Sequence, residues 1–214
     1  MEEALRYLGA AEADGETRRR ARETAKELEK QIQPRFCWKL LRVERDAEGI
    51  RLPEAGMRLP GKLAEAMLAE CGEAALFACT LGAEFDAALR TAQVRDMVKA
   101  VILDACGSAF TEAGCDAAED EIAARRPEMY RTDRFSPGYG DLPLETQGPL
   151  LRTLDAGKRL GIGLLDSGLM TPAKTVTAIV GLARTPQAAR IRGCAYCNRK
   201  ENCTFRERGI TCAV

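Results

Sequence analysis

The spacing of apolar and polar residues along the chain predicts both helices and strands. Between Val94 and Ala105, apolar residues recur every three or four positions, which is the period of a helix. The β-branched run KTVTAIVGL at residues 174–182 is typical of a strand. The predicted helices cover residues 15–32, 62–71, 83–91, 93–125 and 148–160, and the predicted strands cover residues 35–46, 50–52, 73–80 and 174–182.

The order of these elements indicates an α+β fold, with helices packed on a mostly antiparallel sheet. The strands and helices do not alternate as they do in βαβ repeats. Residues 129–146 contain two prolines and two glycines and are predicted to form a loop. We expect residues 1–190 to form one domain, and residues 191–214 to form a cysteine-rich C-terminal segment.

The charge balance argues against an electrostatic partner such as nucleic acid or a membrane surface. Lys plus Arg and Asp plus Glu both number 32, so the formal net charge is zero. No stretch approaches the ~18 apolar residues of a membrane span, and the first 16 residues lack the apolar core of a signal peptide. We therefore expect a cytoplasmic protein, in which the nine cysteines do not form a disulfide framework.

The chain contains no histidine. This excludes a Ser-His-Asp triad, an HExxH zinc site and an axial imidazole donated by this chain to a haem or corrin.

The segment from Arg134 to Tyr139, with the sequence RFSPGY, is the first candidate binding site. An arginine fork binds a carboxylate through two hydrogen bonds. Gly138 after Pro137 lets a ligand approach the backbone, and Tyr139 offers an aromatic face. These groups suit an amino-acid carboxylate and an adenine ring. A plain Pro-Gly turn beside a surface arginine is the alternative interpretation.

A second candidate lies on the predicted long helix, where Glu112 shares a stripe with small and apolar residues such as Ala105 and Cys115. A carboxylate in such a place needs a cationic or hydrogen-bonding partner. A ligand ammonium or a neighbouring arginine would serve, and an exposed position at the edge of the stripe would need neither.

The cysteines fall into two groups. Five lie in apolar patterns and are predicted to be small core residues: Cys37, Cys71, Cys79, Cys106 and Cys115. The other four are spaced as a candidate metal site: Cys194, Cys197, Cys203 and Cys212. Without histidine, that site would be an all-thiolate zinc centre or an iron–sulfur cluster, although the spacing matches neither a common zinc ribbon nor a ferredoxin run. Four unligated cysteines in a tail are the alternative.

Three segments in this order resemble a known family, the activation domain of cobalamin-dependent methionine synthase. Its RxxPGY motif is matched by Arg134, Pro137, Gly138 and Tyr139, a helix is matched by residues 148–160, and a Pro-centred turn before a Ser/Thr strand is matched by residues 170–177. The resemblance covers roughly residues 60–185.

The resemblance implies that the chain binds S-adenosylmethionine. In the family, the residue matched by Arg134 holds the ligand carboxylate, and the backbone around Ser136 and the ring of Tyr139 meet the adenosyl part. The residue aligned with Glu112 meets the ammonium. The sequence departs from the family where residues 184–189 lack a tyrosine, and an aspartate near the family's start has no clear counterpart.

The resemblance also implies a role in a larger reaction. The chain would help to reactivate cobalamin by reductive methylation, as a component of cobalamin-dependent methionine synthase activity. The cobalamin would arrive on a partner, either methionine synthase or another corrinoid methyltransferase subunit, and a flavodoxin-type donor would supply the electron. The alternative is a redox or metal-binding accessory protein that acts through Cys194–Cys212. A self-contained methyltransferase is disfavoured because no glycine-rich first turn of a doubly wound sheet is present.

Overall fold

A computed structural model of the chain describes residues 2–9, 14–187, 191 and 201. In chain order, the helices are α1 Glu2–Tyr7, α2 Gly15–Gln31, α3 Lys62–Met67, α4 Ala83–Arg95, α5 Met97–Arg125, α6 Gln147–Leu154 and α7 Ala156–Leu160. The strands are β1 Arg35–Arg42, β2 Glu44–Asp46, β3 Gly49–Leu52, β4 Met57–Leu59, β5 Glu73–Thr80, β6 Tyr130–Arg131, β7 Gly163–Leu164, β8 Met170–Thr171 and β9 Thr175–Ala183. The α+β class with antiparallel sheet is confirmed.

The main sheet has four strands in the order β1-β5-β9-β6. Strands β5 and β9 are buried along almost their whole length, as expected from their continuous apolar runs. Strand β6 pairs antiparallel with the end of β9, with Tyr130 opposite Ala183. Two smaller antiparallel sheets consist of β2-β3-β4 and of the hairpin β7-β8, which precedes β9.

The described residues fall into two compact units, which the chain enters more than once. The first consists of Met1–Cys37, Ala78–Asp120 and Leu154–Val176. Its core includes Phe85, which is fully buried, together with side chains from α1, α2 and α5. The second consists of Trp38–Phe77, Glu121–Thr153 and Thr177–Val214.

The second unit holds the small β2-β3-β4 sheet, α3, α6 and β6. Its largest fully buried side chains include Phe77, Phe135 and Met67. Arg126 forms an ion pair with Glu73 in this unit, with Nε 2.8 Å from Oε2. Gly181 of β9 lies so close to Cys71 that an added Cβ would be 2.6 Å from its Sγ.

Three predicted elements are divided in the structure. The helix predicted at 93–125 begins only at Met97, because Asp96 is extended and its Oδ1 accepts the Lys99 amide at 3.0 Å. The helix predicted at 148–160 is broken at Asp155, whose φ is 51°. The strand predicted at 35–46 is interrupted at Val43, whose N–H donates to the Gly72 carbonyl instead.

The five cysteines predicted to be core residues are all buried, with at most 3% of any one exposed, so this prediction is confirmed. Burial raises the pKa of both Cys71 and Cys106 to about 11. No helix in the described ranges combines the length and the apolar composition that a membrane crossing requires.

Candidate functional site

The segment that contains Arg134 is held against β9 in the second unit. The Thr132 N–H donates to the Gly181 carbonyl at 3.0 Å, and Phe135 and Ile179 exchange two backbone hydrogen bonds of 3.0 and 2.8 Å. Phe135 is buried, at 1% exposed, whereas Arg134 is half-buried. Since neighbouring residues of an extended segment point to opposite sides, the anchoring of Phe135 directs Arg134 away from the core.

A tight turn follows directly. The Tyr139 N–H donates to the Ser136 carbonyl at 3.1 Å, with Pro137 and Gly138 at the two central positions. The φ of Gly138 is 82°, so the turn has the Pro-Gly arrangement typical of type II. The Gly138 N–H donates to the Leu142 carbonyl at 2.9 Å, and therefore this amide is used to hold the loop closed.

The predicted binding residues of this segment differ in exposure. Ser136 and Tyr139 are half-buried, Gly138 is exposed and Pro137 is buried. The structure thus contains the Pro-Gly turn that the sequence predicted for this segment. Arg134 lies two residues before this turn and Tyr139 is its last residue, and both are half-buried.

Asp141 is a structural residue of this loop that the sequence analysis missed. Its Oδ2 and Oδ1 accept the backbone N–H groups of Lys62 and Leu63 at 2.7 and 2.9 Å. These two hydrogen bonds, that of Leu63 first, lower the pKa of the Asp141 carboxyl. The only local sign of such a cap was the sequence Pro60-Gly61. It precedes helix α3, and the glycine has no side chain with which to cap the first N–H groups of that helix.

Glu112 belongs to the first unit, on α5, and is half-buried. The pKa of the Tyr7 phenol in α1 is raised first by burial and then by the negative charges of Glu112 and Glu3. The predicted stripe on α5 passes from Val101, which is 54% exposed, to Cys115, which is fully buried. Glu112 therefore lies near the buried end of that stripe.

The same face of α5 lines a groove of about 370 Å³ in the first unit, together with Tyr7 and Leu89. At its polar end, the Lys174 ammonium lies 3.0 Å from Asp104 Oδ1 and 2.8 Å from Ser108 Oγ. The Lys174 ammonium is thus paired with Asp104 and hydrogen-bonded to Ser108, so the polar end of the groove does not present an isolated charge.

The predicted metal ligands Cys194, Cys197, Cys203 and Cys212 lie outside the described residues. Within the parts of the chain that the structure describes, no group of three or more His, Cys, Asp or Glu side chains is placed to hold a metal ion.

Comparison with known proteins identifies the fold. No protein-family model matches the chain, and no curated protein matches it by sequence. A solved structure does match: the crystal structure of the MetH reactivation domain bound to AdoHcy, with a TM-score of 0.67 and 18% sequence identity, over 94% of this chain and 74% of that one. This chain has the fold of the MetH reactivation domain.

The match confirms the resemblance to the activation domain of methionine synthase, at the level of fold. It extends well beyond residues 60–185, on which the sequence resemblance rests, because it covers nearly the whole chain. The matched residues therefore include segments outside 60–185, where the sequence itself showed little resemblance to the family.

Proposed function

We propose that this chain binds S-adenosylmethionine and supports reductive methylation of cobalamin carried by a separate methionine synthase or related corrinoid protein. The observation that carries the proposal is the likeness in fold to the AdoHcy-bound MetH reactivation domain. AdoHcy is S-adenosylmethionine without the methyl group on sulfur. The two share the carboxylate, the ammonium and the adenosyl group that a binding site would recognise.

Arg134 is the proposed partner of the ligand carboxylate. Its guanidinium is half-buried, which strengthens a charge-assisted pair relative to one in bulk water. Its backbone is held by the neighbouring bridge between Phe135 and Ile179, so little conformational freedom is lost on binding. The backbone of Ser136 and the ring of Tyr139 would meet the adenosyl part, and the buried Pro137 and exposed Gly138 shape the turn between them.

Glu112 is proposed, from the family resemblance, to meet the ligand ammonium. Its half-buried position supports this role, since a carboxylate partly removed from water gains more from a cationic partner than an exposed one.

The chemistry belongs to a group that this chain would not itself hold. A corrin held by the partner would supply the acceptor for the sulfonium methyl group once it is reduced by an electron from a flavodoxin-type donor, and AdoHcy would be the product left for this chain to release. The chain's own residues bind and orient the sulfonium ligand, which is catalysis by positioning. The absence of histidine agrees with this division, since the chain has no imidazole to offer as an axial ligand or proton shuttle.

Calorimetric titration with S-adenosylmethionine and with AdoHcy tests the proposal. We expect saturable binding of both by the wild-type chain, and a loss of about 2 kcal/mol, roughly thirtyfold in affinity, for Arg134→Ala. Arg42→Ala is the matched control, because Arg42 is an exposed arginine of the same unit that pairs with Glu54 at 2.8 Å. It should bind the ligand like the wild type.

Single variants and a ligand analogue test the roles proposed for Arg134 and for Glu112. Truncation of either should weaken S-adenosylmethionine binding, and Glu112→Gln should leave binding of S-adenosyl compounds without the amino group unchanged. Glu119→Gln, another half-buried glutamate of α5, is its control. Absence of binding at millimolar ligand, or turnover of the ligand without any corrinoid protein, would each contradict the proposal.

The cysteine-rich segment remains a separate prediction. The spacing of Cys194, Cys197, Cys203 and Cys212 supports a zinc or iron–sulfur site, and it is the basis of the alternative in which the chain is a redox or metal-binding accessory protein. Visible absorption from thiolate-to-iron charge transfer, in a chain that does not bind S-adenosylmethionine, would favour that alternative.

A further inference from the structure

The loop from Arg134 to Asp141 is fixed at both of its ends in the second unit. At its start, Phe135 is paired with Ile179 of β9. At its end, the Asp141 carboxylate accepts two backbone N–H groups of α3, those of Lys62 and Leu63. The Pro-Gly turn thus lies between two anchors, and only the second consists of a single side chain.

The second anchor satisfies a need of α3. The first N–H groups of a helix have no acceptor within the helix. The residue before α3 is Gly61, which has no side chain to cap it. Asp141 supplies the missing acceptors from 79 residues further along the chain, with one carboxylate oxygen for each amide.

The two segments approach each other closely. A Cβ on Gly61 would lie 2.7 Å from Asp141 Oδ1 and 2.8 Å from the Asp141 backbone oxygen. The φ of Gly61 is 102°, which also favours glycine. A Cβ on Gly140 would lie 3.0 Å from Leu63 Cδ2. The contact therefore involves the backbones of both segments as well as the carboxylate.

Leu142, the residue directly after Asp141, is linked to the turn by two backbone hydrogen bonds. The Leu142 N–H donates to the Tyr139 carbonyl at 3.1 Å, and the Gly138 N–H donates to the Leu142 carbonyl at 2.9 Å. Asp141 lies within this hydrogen-bonded loop, two residues after Tyr139. A displacement of Asp141 would therefore move Leu142 and, with it, the backbone of Gly138 and Tyr139.

We propose that Asp141 is a positioning residue for ligand binding: by capping α3 at Lys62 and Leu63, it holds the Pro137–Gly138 turn in the orientation in which Arg134 and Tyr139 meet the ligand. The inference rests on the proposed function, because it assigns to Asp141 a role at that same site. Asp141 itself does not touch the ligand in this scheme.

The test measures S-adenosylmethionine affinity by calorimetry for three variants of the full chain. Asp141→Ala removes both acceptors. Asp141→Asn keeps one carbonyl oxygen but turns an amide group toward the other N–H. Lys62→Pro removes one donor at the first helical position, where proline is well tolerated. We expect the affinity for S-adenosylmethionine to fall by about tenfold for Asp141→Ala and by less for the other two variants. About tenfold is the smaller effect seen when a residue that only orients the binding groups of a metal site is removed, and Asp141 is proposed to orient binding groups in a similar way.

A purely structural role is distinguished in two ways. Asp46→Ala is the control, because Asp46 is another exposed aspartate of the same unit that pairs with Arg58 at 2.8 Å and accepts the Glu48 amide at 2.9 Å. It should leave affinity unchanged. In the Arg134→Ala background, Asp141→Ala should cause little additional loss, since the arginine that it positions is already gone.

The outcomes separate the two proposals. If the wild type does not bind S-adenosylmethionine, the proposed function fails and the positioning role fails with it. If the wild type binds and Asp141→Ala and Lys62→Pro bind equally well, only the positioning role is overturned. The positioning role would also be overturned if the affinity lost through Asp141→Ala were the same in the Arg134→Ala background as in the wild type. Faster amide exchange at residues 136–142 in the weakened variants is the expected accompanying result.

Discussion

Gly107 of α5 is the position at which one methyl group should disturb the core of the first unit most clearly. A Cβ added there would lie 2.2 Å from Phe85 Cζ and 2.5 Å from Cε2, well inside contact distance. Phe85 is fully buried, so its ring has no solvent-filled space into which it can move. Gly107→Ala should therefore force either the ring or the helix out of place.

The expected size of the effect is the difference between two opposing contributions. Replacing glycine by alanine inside a helix stabilises it by about 1 kcal/mol. Overpacking a buried site costs about 1–3 kcal/mol. At a separation as short as 2.2 Å we expect the upper part of that range, which leaves a net destabilisation of roughly 1–2 kcal/mol.

Urea unfolding followed by far-ultraviolet circular dichroism measures the change as a lower midpoint at unchanged slope. Gly157→Ala is the matched control, since Gly157 lies within α7 and its Cβ would be 3.5 Å from the nearest atom, the Ile162 oxygen. That variant should be more stable than the wild type by about 0.5–1 kcal/mol. Phe85→Leu should relieve the crowding, so the double variant should be less destabilised than the sum of its parts. If Gly107→Ala is as stable as the wild type, the close packing of α5 against Phe85 is refuted.

Further predictions concern titrating groups and the cysteine-rich segment. Cys71 and Cys106, whose pKa burial raises to about 11, should resist thiol reagents at pH 8 until the protein unfolds; rapid labelling of either, located by mass spectrometry, would contradict their burial. Hydrogen bonding to Arg58 lowers the pKa of Asp46 to about 2. The stability that Asp46 contributes should therefore be present above pH ~4 and lost as the pH falls toward 2, and unfolding midpoints of Asp46→Asn should lack that part of the pH dependence. If residues 194–212 hold zinc, a chelator should release one zinc per chain and expose four reactive thiols, whereas metal-free protein as purified would speak against the site.

Several elements could be predicted from local sequence because their signals are local. Strand β5 matches its predicted range, and α2 and β9 match theirs within one residue, since each has a clear periodicity or apolar run with turn residues at its ends. The short strand β4 and helix α1 were missed, because six or fewer residues carry too little pattern. The break between α4 and α5 was predicted four residues too early, and the break at Asp155 was missed, because an aspartate does not by itself end a helix.

Burial is not determined by spacing alone. The apolar residues between Val94 and Ala105 have helical spacing, yet Val94 is 88% exposed and Met97 is 61% exposed, whereas Ile102 is buried. A stripe on a helix is buried only where another element covers it, and which element does so depends on the tertiary fold.

The sequence by itself determined the fold class, the buried cysteines, the Pro-Gly turn between Arg134 and Tyr139 and the absence of imidazole chemistry, because each depends on residue type or on neighbours in the chain. Only the tertiary structure decided that Phe135 is paired with Ile179 and that Asp141 caps a helix that begins at Lys62. Both are contacts between residues far apart in sequence. They arise when the backbone groups left unpaired in one segment find acceptors or donors in another, and no local pattern encodes such a pairing.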